Sequence, residues 1–194
     1  RLKFRPYKLG SLKSFPDRQI LGVDTETLNG YARLIAFSDG SYIETDDIDE
    51  ILAFLARKEL RGAIIFFYNI AYDFDAIVKY LPLETLNQLV KTGKCEYGKY
   101  QIRYIPKKLF SIHSSKHKVA YYDVYQFFDS SLEKAANTYL SKSKYQDPID
   151  REKLGKSSSY WQINHAAIIR YCINDAKLTA ELGQLLQDEV KEVF

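Results

Sequence analysis

Residues 19–44 read QILGVDTETLNGYARLIAFSDGSYIE, and this stretch decides the fold. Gln19–Thr27 is apolar around Ile20, Leu21 and Val23, as a buried strand would be. Asn29-Gly30 follows, a pair suited to a type I′ hairpin turn because both central positions of that turn need φ > 0. Tyr31–Ser38 reads as a second strand, Asp39-Gly40 repeats the turn signal, and Ser41–Glu44 reads as a third strand. The expected unit is an antiparallel meander of three strands.

Downstream, Asp47 with Glu50 three residues on resembles a capping box, and Ile48, Ile51, Leu52 and Leu55 recur at helical spacing. Gly62 closes that unit. Ala63–Tyr68 is a continuous apolar run, expected of a central strand buried on both faces. Helices are expected from Asp73 to Tyr80, stopped near Pro82, and over Glu84–Val90. Residues 91–128 read as β-rich, with turns at Tyr97-Gly98 and His113–Lys116 and with Val119–Phe128 as a further core strand. Ser131–Leu140 reads as a helix, Ser141–Tyr160 as a polar loop and Asn164–Glu189 as a long helix. Upstream, residues 1–18 read as an extended arm with Pro6 and Pro16. Three antiparallel strands followed by alternating helices and strands make an α/β chain. The expected architecture is a mixed sheet with helices on both faces, which resembles an RNase H-like fold. A chain of 194 residues accommodates one such domain over 19–194, with a basic β-hairpin insertion near 91–118.

Hydrophobic residues make up 46% of the chain, which excludes a disordered polymer. No apolar run is long enough to span a bilayer, so no membrane partner is expected. The start of the sequence lacks the apolar core and cleavage site of a signal peptide. Cys95 and Cys172 form no CxxC pair, which argues against a disulfide framework or a zinc site and for a reducing, cytoplasmic location. The sequence contains no methionine, even at position 1, which suggests a fragment or a trimmed chain.

A net charge of +3 excludes a uniformly basic binder, but the charges are unevenly placed. Lys91 to Lys118 carries eight Lys or Arg against Glu96 alone, interleaved with Tyr97, Tyr100, Tyr104 and Phe110. The first eighteen residues carry six Lys or Arg against Asp17. Basic rims with interleaved aromatics suit a single-stranded nucleic acid, with Lys107 and Lys108 as candidate contacts.

Three short motifs carry candidate chemistry. Asp24-Thr25-Glu26 lies at the end of the first strand, where alternation puts both carboxylates on one face, about 7 Å apart along the chain. Buried in such a setting they need a cation or a partner. Asn69-Ile70-Ala71-Tyr72-Asp73 sits where the central strand hands over to a helix, at the strand ends where sites on such sheets gather. Tyr171 and Asp175 share a face of the long helix at i and i+4. Asp75 is a second acid near Asp73 and reads as a surface residue.

Taken in order, these motifs resemble the three motifs of the DEDD superfamily of 3′→5′ exonucleases, in the tyrosine subclass. The Asn-x-x-Tyr-Asp form is most similar to the proofreading exonuclease domains of family B, protein-primed DNA polymerases. The resemblance covers about residues 19–190 and includes no polymerase motif, so it implies a free-standing exonuclease, an excised domain or a descendant without its polymerase.

The resemblance implies that Asp24, Glu26, Asp73 and Asp175 hold two divalent ions, Mg²⁺ or Mn²⁺, with Tyr171 orienting the attacking water. The implied substrate is the 3′ end of single-stranded DNA, with RNA as the alternative, and the implied product is a nucleoside 5′-monophosphate. A DNA polymerase or replication complex is an implied partner, and a catalytically inactive nucleic-acid-binding module is the rival class. Thr27, Asn69 and Tyr72 would touch the 3′ end. Ser131-Leu132 resembles the Ser/Thr-Leu strand-contact motif of that family. A catalytic lysine is also implied, with Lys144 as the candidate and Lys142 as the alternate.

Other signals fall away. Leu154-Gly155-Lys156-Ser157 matches the end of a P-loop, but Asp150 occupies the position of the earlier glycine and no strand leads into it. His113 and His117 lie in a hairpin segment and read as surface residues, and His165 reads as structural.

Overall fold

The computed structural model describes residues 18–143 and 149–193. The expected N-terminal arm therefore lies outside the described residues, apart from Arg18. The meander forms as expected: Ile20–Leu28 (β1), Tyr31–Phe37 (β2) and Tyr42–Glu44 (β3) pair antiparallel. Asn29 and Gly30 both have positive φ, 54° and 78°, as the type I′ turn requires. At the second turn only Gly40 is left-handed, with φ 88°, so that turn is of another type.

Asp47 caps the helix Ile48–Leu55 (α1) by accepting from the Asp49 N–H. Glu50 does not close the expected box, because its carboxylate accepts from Thr45 Oγ1 at 2.6 Å instead. The apolar run becomes Ile64–Phe67 (β4), which lies between β1 and Lys118–Asp123 (β8) and runs parallel to both. The basic segment supplies Lys94–Tyr97 (β5), Tyr100–Ile105 (β6) and Leu109–His113 (β7). These pair antiparallel onward from β8, giving one eight-stranded sheet in the order β3-β2-β1-β4-β8-β7-β6-β5.

The helices after α1 are Ile70–Val78 (α2), Leu83–Thr92 (α3), Tyr125–Phe128 (α4), Leu132–Leu140 (α5), Arg151–Lys156 (α6) and Ser158–Val193 (α7). Three boundaries differ from the sequence reading. Helix α2 begins at Ile70 rather than Asp73, because Asn69 turns left-handed and starts it at once. The strand expected over Val119–Phe128 stops at Asp123, whose carboxylate accepts the Tyr125 N–H and turns the chain into α4. The expected loop over 141–160 contains α6, capped by Asp150 accepting from the Lys153 N–H, and α7 already begins at Ser158.

Alternation along β2 shows how the sheet is covered. Ile35 and Phe37 pack with α1 and α2 residues such as Leu52 and Ile77 on one face. Leu34 and Ala36 pack with Leu154 of α6 and with Ile168 and Cys172 of α7 on the other. Helices thus cover both faces of a mixed sheet, in keeping with an RNase H-like fold. Among the described residues, no helix is long and apolar enough to cross a membrane.

Candidate functional site

The register of β4 against β1 opens the site. Strand β4 pairs only with Ile20, Leu21 and Gly22, so β1 beyond Gly22 runs on beside β2 alone. Side-chain alternation then sorts this free segment. Gly22 faces α7: a Cβ built on it would lie 1.9 Å from the Ala176 carbonyl oxygen. Asp24 and Glu26 share that face, and their carboxylate oxygens and the Cys172 sulfur all lie within 4.8 Å of one another. Thr25 and Thr27 point the other way, to α2. Thr25 Oγ1 donates to Asp73 Oδ1 at 2.7 Å, and the Thr27 and Tyr72 hydroxyls are 3.1 Å apart.

The start of α2 enters the gap left by β4. Asn69 takes φ 67°, a conformation asparagine tolerates better than most residues, and its N–H donates to Asp123 Oδ1 at 3.1 Å. This sharp entry places Asp73 in the first turn of α2, buried and facing β1. From the opposite side α7 contributes Asp175 and, one turn earlier, Tyr171, both buried.

All four acids line one cavity of about 300 Å³, together with Tyr171, Thr27, Asn69 and Tyr72. Asp73 and Asp175 are each only 3% exposed and Glu26 9%. Burial pushes the Asp73 carboxyl up to about 7; hydrogen bonds from Thr25 and from backbone N–H groups oppose the shift, and the Asp123 charge adds to it. The Cys172 thiol is pushed well above its ordinary range by burial and then by the charges of Asp24, Glu26, Asp175 and Asp73. Its Sγ donates to the Asp24 carbonyl oxygen at 3.4 Å, which sets the sulfur beside the two strand acids. Converging carboxylate oxygens form a donor set that suits a hard divalent cation.

The raised Asp73 acid has a stability consequence. Its folded-state value lies above the ordinary 3.8, so the folded chain binds this proton more tightly than the unfolded chain does. Without metal, the contribution of Asp73 to stability is therefore lost as pH rises from about 4 to about 7. Asp73→Asn keeps an oxygen acceptor for Thr25. It is expected to raise the metal-free melting temperature at pH 8 by at least about 3 °C and to change it little at pH 4. Thermal melts of both proteins at the two pH values check this; an equal shift at both would detach the effect from ionisation.

Several candidates lie outside the cavity. Ser131 caps α5, accepting the Lys134 N–H at 3.2 Å, and Leu132 is buried against Leu178 and Leu182 of α7. That segment reaches the cavity only indirectly, through the Tyr68 hydroxyl donating to the Ser130 carbonyl oxygen at 2.6 Å. Lys107 and Lys108 form the β6–β7 turn, where the Lys108 carbonyl oxygen accepts the Asp123 N–H at 3.3 Å. They lie at the end of β8, beside a groove with the exposed rings of Tyr122 and Phe127. Lys144 lies outside the described residues, and Lys142 pairs with Glu181 at 2.6 Å.

Asp75 is exposed and pairs with Lys79 at 2.6 Å, as a surface residue would. His117 meets the Ala56 carbonyl oxygen and His165 meets Glu44, and neither histidine lines the cavity.

The sequence reading gave no site role to Tyr68, Thr25 or Arg151, all of which line the cavity. Alternation assigns Thr25 to the face opposite Asp24, which could have placed it against the helix carrying Asp73. Arg151 sits in a polar stretch without periodicity, so no sequence signal marked it.

No protein-family model matches the chain, and no curated protein matches it in sequence. The class defined by the fold is a mixed α/β protein of RNase H-like architecture. Among solved structures, the phi29 DNA polymerase complexed with primer-template DNA and incoming nucleotides is similar at 16% identity, with 88% of this chain covered and a TM-score of 0.49. The same polymerase complexed with single-stranded DNA is similar at 17% identity, with 88% of this chain covered and a TM-score of 0.45. The chain spans about a third of that polymerase's length, 31% in the first comparison and 32% in the second.

Proposed function

We propose that this chain is a metal-dependent 3′→5′ exonuclease that releases nucleoside 5′-monophosphates from single-stranded DNA. The observation that carries the reading is the convergence of Asp24, Glu26, Asp73 and Asp175, from one strand and two helices, on a single cavity shared with Tyr171. Buried carboxylates in such number call for cations. The four acids would hold Mg²⁺ or Mn²⁺, and such ions, when bound, activate water and stabilise a leaving oxygen.

The chain's own groups supply the rest. Tyr171 accepts or donates a hydrogen bond to orient the attacking water, since a phenol is too weakly acidic to serve as a strong base at neutral pH. Tyr72 presents a ring that is 60% exposed, a surface on which a terminal base can stack, and Thr27 fixes its hydroxyl. In the reaction the water oxygen bonds to phosphorus and the bond from phosphorus to the 3′ oxygen breaks. One water proton ends on that 3′ oxygen, leaving a shortened strand and a 5′-monophosphate.

The test is incubation with 5′-labelled single-stranded DNA and RNA of one sequence, in Mg²⁺, Mn²⁺ or chelator. A metal-dependent ladder shortening from the 3′ end is expected, faster on DNA. A faster RNA ladder would make the enzyme an exoribonuclease, and binding without cleavage would make it a nucleic-acid-binding module. Tyr171→Phe is expected to slow cleavage about 10²-fold. Its metal affinity, measured by titration calorimetry, should stay that of the wild type; an equal loss of affinity would give Tyr171 a scaffolding role instead.

A further inference from the structure

Among the described residues, the acidic cavity is lined by one basic side chain, Arg151. We infer that Arg151 is a further catalytic residue, whose guanidinium grips the non-bridging oxygens of the scissile phosphate; the inference rests on the exonuclease reading. Helix α6, which carries Arg151, is fastened to the strand that bears Asp24 and Glu26. The Gly155 carbonyl oxygen accepts the Asn29 N–H at 2.7 Å, at the end of β1, and Leu154 is buried in the core beneath α7. The Asp150 N–H donates to the Tyr160 hydroxyl at 2.9 Å and ties the start of α6 to α7. A six-residue helix held at three points presents its first side chain at a fixed place.

Charge balance alone does not account for Arg151. A guanidinium that served only to neutralise the acids would pair with one of them. Elsewhere in the chain that happens: Arg33 pairs with Glu44 and Asp46. Among the described residues Arg151 has no side-chain hydrogen bond or ion pair, although it shares a cavity with four carboxylates. Among those residues, none takes up its five donors at the cavity wall. The carboxylates repel a phosphodiester, so the side of the phosphate turned away from them needs donors of its own. A planar guanidinium supplies two parallel N–H groups to two phosphate oxygens and stays charged at every working pH.

Rates and ligand binding in Arg151→Ala, Arg151→Gln and Arg151→Lys test this. The Ala and Gln variants are expected to release nucleotides about 10²-fold more slowly, with KM for the strand changed less than about threefold. Lysine, a point charge without the fork, should recover only part of the loss. Binding of thymidine 5′-monophosphate, measured by calorimetry in Mn²⁺, should weaken about tenfold in the Ala and Gln variants, while Mn²⁺ affinity itself does not weaken. The Gln variant carries the comparison if the Ala variant fails to fold. Wild-type rate and nucleotide affinity in these variants would overturn the role of Arg151 and leave the exonuclease reading standing. A wild-type chain that cleaves nothing would overturn the exonuclease reading instead. The monophosphate measurement would then still decide whether Arg151 recognises phosphate.

Discussion

The Asp24→Ala, Glu26→Ala double variant is expected to lose nucleotide release by at least about 10³-fold, which corresponds to several kcal/mol of transition-state stabilisation. The two residues are neighbours on one face of β1, with oxygens close enough to share an ion. Removing both leaves Asp73 and Asp175, which lie on opposite sides of the strand's free end and belong to different helices. The fold should survive, because the sheet ladders and the apolar clusters do not depend on these acids. The wild-type chain should gain melting temperature on addition of Mn²⁺, because a ligand that binds only the folded state stabilises it, and the double variant should not. Cleavage that persists in the double variant and still needs metal would remove these acids from the reaction.

Much of this arrangement is legible in the residues themselves. Asn29-Gly30 announces the first hairpin because few other pairs fit two positive φ values, and the structure uses both. The alternation of Asp24 and Glu26 holds because a strand keeps its period whatever packs on it. The i, i+4 relation of Tyr171 and Asp175 holds for the same reason in a helix.

What the sequence does not disclose depends on distant contacts. Helix α6 has one buried apolar residue, Leu154, and is stabilised by a backbone hydrogen bond from Asn29, well over a hundred residues away. No local pattern could reveal it, and Arg151 is hidden with it. The start of α2 moves three residues because Asn69 turns left-handed, with its N–H held by Asp123 at the end of the neighbouring strand. The Ser131-Leu132 pair is spent on a helix cap and a core contact, two ordinary uses for those residue types.

Gly22→Ala is expected to damage both stability and catalysis, and it separates the placing of α7 from the chemistry on it. A Cβ at position 22 would lie 1.9 Å from the Ala176 carbonyl oxygen and 2.6 Å from the Ala180 nitrogen. Both are backbone atoms of a long helix, so no side chain can swing aside. Helix α7 would have to retreat from β1 by more than about 1.5 Å to restore ordinary contact. Asp175 is next to Ala176, so the retreat draws it away from Asp24 and Glu26. The expected stability loss is about 1–3 kcal/mol, seen as several degrees of melting temperature. A displacement of that size at a reacting centre costs about 10²-fold in rate even where the chain remains folded.

Gly183→Ala is the matched control. Its Cβ would meet the Phe66 ring at 2.3 Å, a side-chain contact two turns beyond Asp175. That variant should lose stability while its rate below the melting transition stays within about threefold of the wild type. Melting curves and initial rates for both variants, taken well below the lower melting temperature, make the comparison. If Gly22→Ala keeps the wild-type rate, the close approach of α7 to β1 is a packing feature alone, and the acids tolerate more spread than the proposed chemistry allows.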